Sequence, residues 1–364
     1  MLEISLILIL WVYLLVQLVI FMGIFSEPKV RKKHYDWPFI SILVPARNEE
    51  ANIEFCLQSL LQLDYPKNSF EILVGNDGST DHTGKIIESL ALQNPQIIQY
   101  QIEGQLGSAK AKANVLAQLV HQAKGDYIFV TDADITVSKT WVKNLLPYMF
   151  EQNVGIVSGT TLIEGPGFFA GMQSLEWLLA NGNLLGLDHL GMKGTAVGNN
   201  MAFTREAYFK TGGYENIPFS VTEDFQLFNY IRKTGFQTRN LGQPASLNKS
   251  KPQTNFMRLM HQRKRWMIGA QGLPWYWYPF FILLSLYAPA IIFLFFIHFK
   301  LALTILLVKF ILQSIFLIFL QKKFRIKTNY FYLIIFEPYS CFMNFLMLVF
   351  YLMPIKMVWK ERDY

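Results

Sequence analysis

Two blocks of this chain are too apolar, for too long, to remain in water: Ile4 to Phe25, and most of Tyr276 to Met353. A bilayer core demands about 20 consecutive apolar residues per helical crossing, and both blocks reach that length. The residues between them must therefore fold beside a membrane. The blocks also account for a composition of 52% hydrophobic against 16% charged residues, more apolar than a water-soluble domain.

Glu3 precedes the first block, and Lys29, Arg31, Lys32 and Lys33 follow it. A cleaved secretory signal has the reverse order, a basic start and a small-residue cleavage site, so residues 1–26 read as an uncleaved anchor. The basic flank predicts that the chain beyond residue 26 is cytoplasmic, in an integral protein of the cell or inner membrane. The second block breaks at His298-Phe299-Lys300 and at Gln321 to Asn329. That predicts about three helices, over 276–298, 301–320 and 331–353, within a region 276–354, with Pro279, Pro289 and Pro338 as candidate kinks. Three added crossings put the far end outside, whereas Lys356, Lys360 and Arg362 favour the inside. A re-entrant last segment is the alternative. Lys309 and Glu337 each lie inside an apolar span, within about two turns of depth of each other in an antiparallel pair. They are expected to pair, with a lipid phosphate on Lys309 or simple snorkelling as the other readings.

Residues 38–250 read as one α/β domain. FISILVP (39–45) predicts a strand, 46–63 a helix, EILVGNDGSTD (71–81) a second strand, and 82–92 a helix. A weak strand near 97–102, a helix over 108–123 and the strand YIFVTDAD follow. Alternating strands and helices imply parallel βαβ units, whose ligands bind beyond the carboxyl ends of the strands. Residues 167–190 and 253–272 are rich in large apolar side chains at helical spacing and are expected at the membrane interface, the second within an interfacial segment 251–275. The net charge of +7 borders the apolar blocks, which argues against a nucleic-acid partner. Cys56 and Cys341 lie too far apart in kind and position to suggest a disulfide framework.

Four clusters carry candidate chemistry. Asp77 ends a strand in NDGSTD and reads either as a polar turn or as an acceptor for a nucleobase N–H, with Asp81 as a helix-start cap. Asp132-Ala133-Asp134 is either a solvated acidic turn or a pair of hard oxygen ligands for Mg²⁺ or Mn²⁺. Glu223-Asp224 follows Thr222 at a helix start, where acids are favoured anyway, and one carboxylate could serve as a general base. Gln262 to Trp266 sets three cations around an indole, which suits a basic membrane flank, a diphosphate clamp or a stacking face for sugar.

In this order the clusters resemble the family 2 inverting glycosyltransferases of GT-A type, especially the membrane-embedded branch of polysaccharide synthases and ceramide glucosyltransferase. The resemblance spans roughly residues 38–270. SILVPARNEE is similar to the opening strand and loop, EILVGNDGSTD to the base-binding turn, TDAD to the D-x-D site, VTED to the base motif and QRKRW to Q-x-x-R-W. It implies a Rossmann-like nucleotide-diphospho-sugar transferase domain with a mixed, mainly parallel sheet, followed by membrane helices. It also implies that Glu49 and Asp77 contact the nucleoside, Asp132 the ribose side, and Lys112 (or Lys110) the diphosphate. Asp134 would take the metal and Asp224 the acceptor proton. Gly198 and Asn199 fall in a stretch lining the donor sugar, though without the cysteine of cellulose synthases. Glu223, Gln262, Arg263, Arg265 and Trp266 complete the implied substrate contacts.

The expected activity is metal-dependent transfer from a UDP- or GDP-sugar to a lipid or lipid-linked glycan. Processive polymer synthesis is the alternative, and a catalytically dead membrane scaffold is the reading outside enzymology. Three late spans are few for a polymer channel, and intact acidic positions argue against a dead scaffold.

Overall fold

The computed structural model describes residues 2–27, 36–356, 358–359 and 362–363. Lys29, Arg31, Lys32, Lys33 and Lys360, and the side chain of Arg362, lie outside the described part. The chain opens with α1 (Leu2–Gly23), β1 (Ile40–Ala46), α2 (Ile53–Leu61), β2 (Phe70–Asn76), α3 (Thr83–Gln93), β3 (Ile97–Gln101) and α4 (Ala111–Gln122). Next come β4 (Tyr127–Val130), β5 (Ile135–Thr136), α5 (Trp141–Met149), β6 (Val154–Ser158), β7 (Thr161–Ile163), α6 (Gly167–His189) and β8 (Met201–Thr204). Then follow α7 (Arg205–Lys210), α8 (Gly213–Asn216), α9 (Glu223–Lys233), β9 (Gln237–Asn240) and β10 (Asn248–Ser250), and a short strand pair, β11 (Val358–Trp359) with β12 (Arg362–Asp363), comes last. The last long helices are α10 (Phe256–Ala270), α11 (Tyr278–Ile297), α12 (Phe299–Lys323) and α13 (Tyr330–Leu352).

These elements form two units: residues 28–162 with 195–251, and residues 1–27 with 163–194 and 252–364. The first unit is built on a seven-stranded sheet of order β3-β2-β1-β4-β8-β6-β9. Strands β1 to β4 are parallel, β8 runs against both β4 and β6, and β9 is parallel to β6. The sheet is thus mixed and mainly parallel. Ile40, Ile42, Val44 and Ala46 of β1 enter one core layer and Leu43 the other, so both faces of this central strand are covered. Its one buried polar side chain is satisfied. Ser41 donates to the Glu71 carboxylate (2.7 Å) and accepts from Gly125 N–H (2.9 Å), while Glu71 also accepts from Lys124 N–H (2.6 Å).

Two helices start later than the sequence suggests, for the same reason. The helix expected from 46 begins at Ile53, because the N–H groups of Asn48, Glu49 and Glu50 donate to Ser79, Thr83 and Asp81 side chains, and Asn48 has φ 51°. The helix expected from 108 begins at Ala111, because Ser108 is tied through N–H and Oγ to the Glu215 carbonyl. Local side-chain and long-range bonds outcompeted the helical ladder in both places.

In the second unit, four helices among the described residues are long and apolar enough to cross a membrane: Glu3–Ser26, Trp275–Ile297, Phe299–Lys323 and Tyr330–Leu352. Residues 163–194, read from sequence as part of the α/β domain, belong to this unit. Glu3 pairs with His298 (2.6 Å) and Glu27 with Lys323 (2.5 Å), which fixes both ends of α1 against the α11–α12 hairpin. The expected Lys309–Glu337 pair forms at 2.5 Å, and Gln313 donates to the second carboxylate oxygen at 2.8 Å. Both charges are about 95% buried, so neither tolerates losing the other. Lys309→Glu or Glu337→Lys alone should cost about 3 kcal/mol or more and abolish recovery of folded protein in detergent. The double swap should restore it; failure of the swap would mean the two charges act separately.

Candidate active site

The sheet brings one set of sequence motifs to a single edge. β1 lies between β2 and β4 and is parallel to both, so the segments after Ala46, Asn76 and Val130 leave the sheet side by side. These segments carry Glu49, Asp77, and Asp132 with Asp134. The chain moves from β1 outward through β2 and β3, then returns to the other side of β1 as β4, so the strand order reverses between β1 and β4. Open α/β sheets bind ligands in the crevice at such a point. Because β8 is antiparallel to β4, with Met201 opposite Val130, residues 198–200 enter from the same edge.

The loops after β1 and β2 are bonded into one platform. Arg47 Nη1 donates to the Asp77 carbonyl (2.6 Å), and Asn48 Oδ1 accepts from Thr80 N–H (2.9 Å). Glu49 is nearly buried, donates its N–H to Thr83 Oγ1 (2.7 Å) and accepts from Asn52 Nδ2 (2.8 Å). Asp77 is partly exposed at the rim. Asp81 takes the structural part expected of it. Burial opposes its ionisation, but Thr83 Oγ1–H and N–H and the Glu50 N–H hold its carboxyl below the ordinary range.

A cationic bridge joins the next two motifs. The Lys112 ammonium lies 2.5 Å from Asp132 Oδ1 and 2.7 Å from Glu223 Oε1. Burial works against the charge on Lys112, yet Asp132, Glu223 and Asp224 outweigh it and raise its pKa above that of an ordinary lysine. Lys110, the alternative from sequence, lies instead over the Phe219 ring. Asp224 is fixed at the start of α9: Oδ2 accepts from Gly198 N–H (2.9 Å) and Oδ1 from Phe225 N–H (2.8 Å). Gly198 is required there, since a Cβ would stand 2.5 Å from Asp224 Oδ2. Asn199 accepts from Thr161 Oγ1 through its side chain and from Thr131 Oγ1 through its carbonyl, tying this stretch to the end of β4.

The remaining question at this edge is a cation. Burial, then the charges of Asp134, Asp132 and Glu49, push the Cys56 thiol far above its usual pKa, so it stays protonated and is no soft ligand. Asp132 and Asp134 are partly exposed while Ala133 and Ile135 between and after them are buried. Among the described residues no three His, Cys, Asp or Glu side chains are grouped to cage a metal alone. One or two carboxylates at an open edge fit a hard divalent cation that completes its shell with water and substrate phosphate.

The Gln262–Trp266 motif lies on α10, in the helical unit. Arg263 and Lys264 are both buried within that unit. Arg263 Nε pairs with Glu176 (2.9 Å), and its guanidinium sits 4.3 Å from the Trp266 ring centre and 5.9 Å from that of Trp177. The two indoles are 4.6 Å apart. Lys264 donates to the carbonyls of Phe350 (3.2 Å) and Met353 (2.8 Å), closing the last turn of α13. Gln262, Arg265 and Trp266 are partly exposed. Sequence reading paired Arg263 with Arg265 as cations for a diphosphate; in the structure Arg263 is committed to a carboxylate and two indoles.

Sequence reading missed Arg47, which the strand-end rule that found Asp77 also selects. It missed Glu176 and Trp177 too, because nothing in a helical apolar stretch reveals which indole will meet an arginine 86 residues further along the chain.

The chain is similar to the "Probable glycosyltransferase YdaM" of Bacillus subtilis, 28% identical over 277 residues that make up 72% of this chain and 64% of that protein. It is also similar to the beta-monoglucosyldiacylglycerol synthase of Synechocystis, 28% identical over 235 residues, 64% of this chain and 48% of that one. The chain therefore spans less than two thirds of these curated relatives. The solved mannosyltransferase PcManGT from Pyrobaculum calidifontis, in complex with GDP-Man and Mn²⁺, shares the fold at a TM-score of 0.59 and 18% identity, over 95% of this chain and 99% of that one. The sequence model of glycosyl transferase family 21 matches residues 2–364, so the family 2 expectation holds at the level of a GT-A glycosyltransferase and the protein belongs to glycosyl transferase family 21.

Proposed function

We propose that the protein transfers one sugar from a nucleoside-diphosphate sugar to a hydroxyl of a lipid or lipid-linked acceptor, with inversion, at the cytoplasmic face of a membrane. The observation carrying this reading is the edge of the α/β unit, where Glu49, Asp77, the Asp132/Asp134 pair and the Lys112–Glu223 bridge stand together, with Asp224 held by Gly198. A lipid acceptor is supported by the membrane-type helices and by a relative named for making monoglucosyldiacylglycerol.

Asp77 and Glu49 hold the nucleoside end on the platform of the first two loops, and Asp132 faces the ribose side. Lys112 serves the diphosphate. Asp224, fixed by two backbone N–H groups, removes the proton from the acceptor hydroxyl. The acceptor oxygen then bonds to the anomeric carbon as the bond to the diphosphate oxygen breaks. The nucleoside diphosphate leaves with that electron pair, and one displacement inverts the sugar. Asp134, with Asp132, would hold Mg²⁺ or Mn²⁺, which when bound supplies Lewis-acid neutralisation of the diphosphate.

A donor screen that detects released nucleoside diphosphate tests the reading, with lipid extracts as acceptor. Asp134→Ala should abolish the dependence of nucleotide affinity on added Mn²⁺, measured by calorimetry with and without the ion. Equal metal dependence in wild type and variant removes Asp134 from the cation.

A further inference from the structure

By length and hydropathy α13 is a fourth membrane crossing, but its contacts say otherwise. Within the helical unit, Glu3–His298 and Glu27–Lys323 define two opposite ends of the α1, α11 and α12 bundle. α11 begins at the Glu27 end: Trp277 and Phe280 cluster with Ile20 of α1 and Leu187 of α6. α6 lies at that same end. Gly186 abuts the Ile20 carbonyl and Gly182 abuts Phe316 and Leu320, so closely that a Cβ at either would overlap them.

α13 starts at this end, seven residues after Lys323, and Tyr332 packs on Gly171 of α6. A straight helix of 23 residues is about 34 Å long. Had it crossed, its last turn would stand near His298. Instead the last turn returns to the Glu27 end. Lys264 of α10 caps the Phe350 and Met353 carbonyls, and Gln271 bonds to Tyr351 Oη. The Gln271 carbonyl in turn accepts from Tyr278, the first residue of α11. Leu259 and Met260 of α10 pack on Met343, Met347 and Phe350 along the same half.

α13 is also the least apolar of the four helices, with a mean hydropathy of 1.7 against 2.5 to 2.8 for the others. Only its middle reaches inward, where the long side chains of Glu337 and Lys309 meet. Phe331, Ile334, Phe342 and Phe345 are left exposed at helical spacing, a face that suits lipid along the length of one leaflet.

We infer that α13 does not cross the bilayer but lies along the leaflet at the Glu27 end, its exposed face against the lipids there, and that Lys356 emerges on the same side as Lys327. The bundle then has three crossings. The conflict between an odd number of added spans and the cations at 356–362 disappears, since both basic segments flank α13 on one side.

Single-cysteine variants in a Cys56→Ser/Cys341→Ser background test this in sealed vesicles of known sidedness. Lys327→Cys, Lys300→Cys and Lys356→Cys place the thiol at exposed sites, and a membrane-impermeant maleimide reads the side. Lys356→Cys is expected to label together with Lys327→Cys, and Lys300→Cys only from the opposite side. Labelling of Lys356→Cys together with Lys300→Cys overturns the inference. If a variant fails to fold, an epitope appended after Tyr364 of the unaltered chain gives the second reading. Protease that cleaves around Lys327 should remove the epitope from the same side, and cleavage only from the Lys300 side refutes the arrangement.

Discussion

Asp224→Asn should cut transfer by about 10² to 10⁴-fold, the range a positioned general base contributes, while nucleoside diphosphate still binds with wild-type affinity. The substitution is close to isosteric, so the start of α9 and the contact with Gly198 keep their shape. It removes the charge that, in the proposed mechanism, takes the proton. An amide offers one oxygen where the carboxylate offers two, so it can accept from Gly198 N–H or Phe225 N–H but not both. One of those donors meets an NH₂, at a cost of about 1 kcal/mol in stability. That is far too small to explain a thousandfold loss of rate, and thermal unfolding of the variant separates the two effects. Single-turnover transfer and nucleotide titration then decide the assignment. A variant that turns over at the wild-type rate cannot have lost its base, and a variant that no longer binds nucleotide has lost a site, not a proton acceptor.

Half of the α/β sheet was legible in the sequence because half of it is repetitive in chemistry. FISILVP, EILVGN and YIFV are mostly apolar runs with acids in the loops after them, and strands buried on both faces look like that. β9 does not. It reads Gln-Thr-Arg-Asn, so its pairing is set by tertiary contacts such as Asn240 donating to the Thr195 carbonyl. The acids of the site were legible for the opposite reason: each follows a strand or opens a helix, and carboxylates so placed stand out from an apolar background. Lys112 was suggested only by a familial pattern. Its double ion pair depends on a helix start displaced to Ala111, and no periodicity predicts the positive φ of 49° there.

The second large effect is expected at Lys112. Lys112→Met keeps the length of the side chain and deletes the ammonium between Asp132 and Glu223, leaving carboxylates that include the buried Glu223 close together. Removing one partner of a fully buried pair costs about 3–5 kcal/mol; a quarter of the Lys112 side chain is exposed, so about 2–3 kcal/mol is expected. The wild-type contribution has a defined pH range. The folded pKa of Lys112 is raised above the unfolded value, so its stabilisation is whole below the ordinary lysine pKa and fades only as pH climbs through the folded value. At neutral pH it is fully present. In the variant the sign reverses: crowded carboxylates without a cation take up a proton more readily folded than unfolded, and the folded state gains as pH falls. The melting deficit of Lys112→Met should therefore be large at pH 7.5 and shrink towards pH 5. Donor affinity should fall at both pH values, because relieving the crowding by protonation supplies no cation for the diphosphate in the proposed mechanism. A deficit of equal size at pH 5 and 7.5 would mean that Lys112 stabilises the unit through packing of its stem. Unchanged donor affinity would remove it from the diphosphate while leaving the bridge intact.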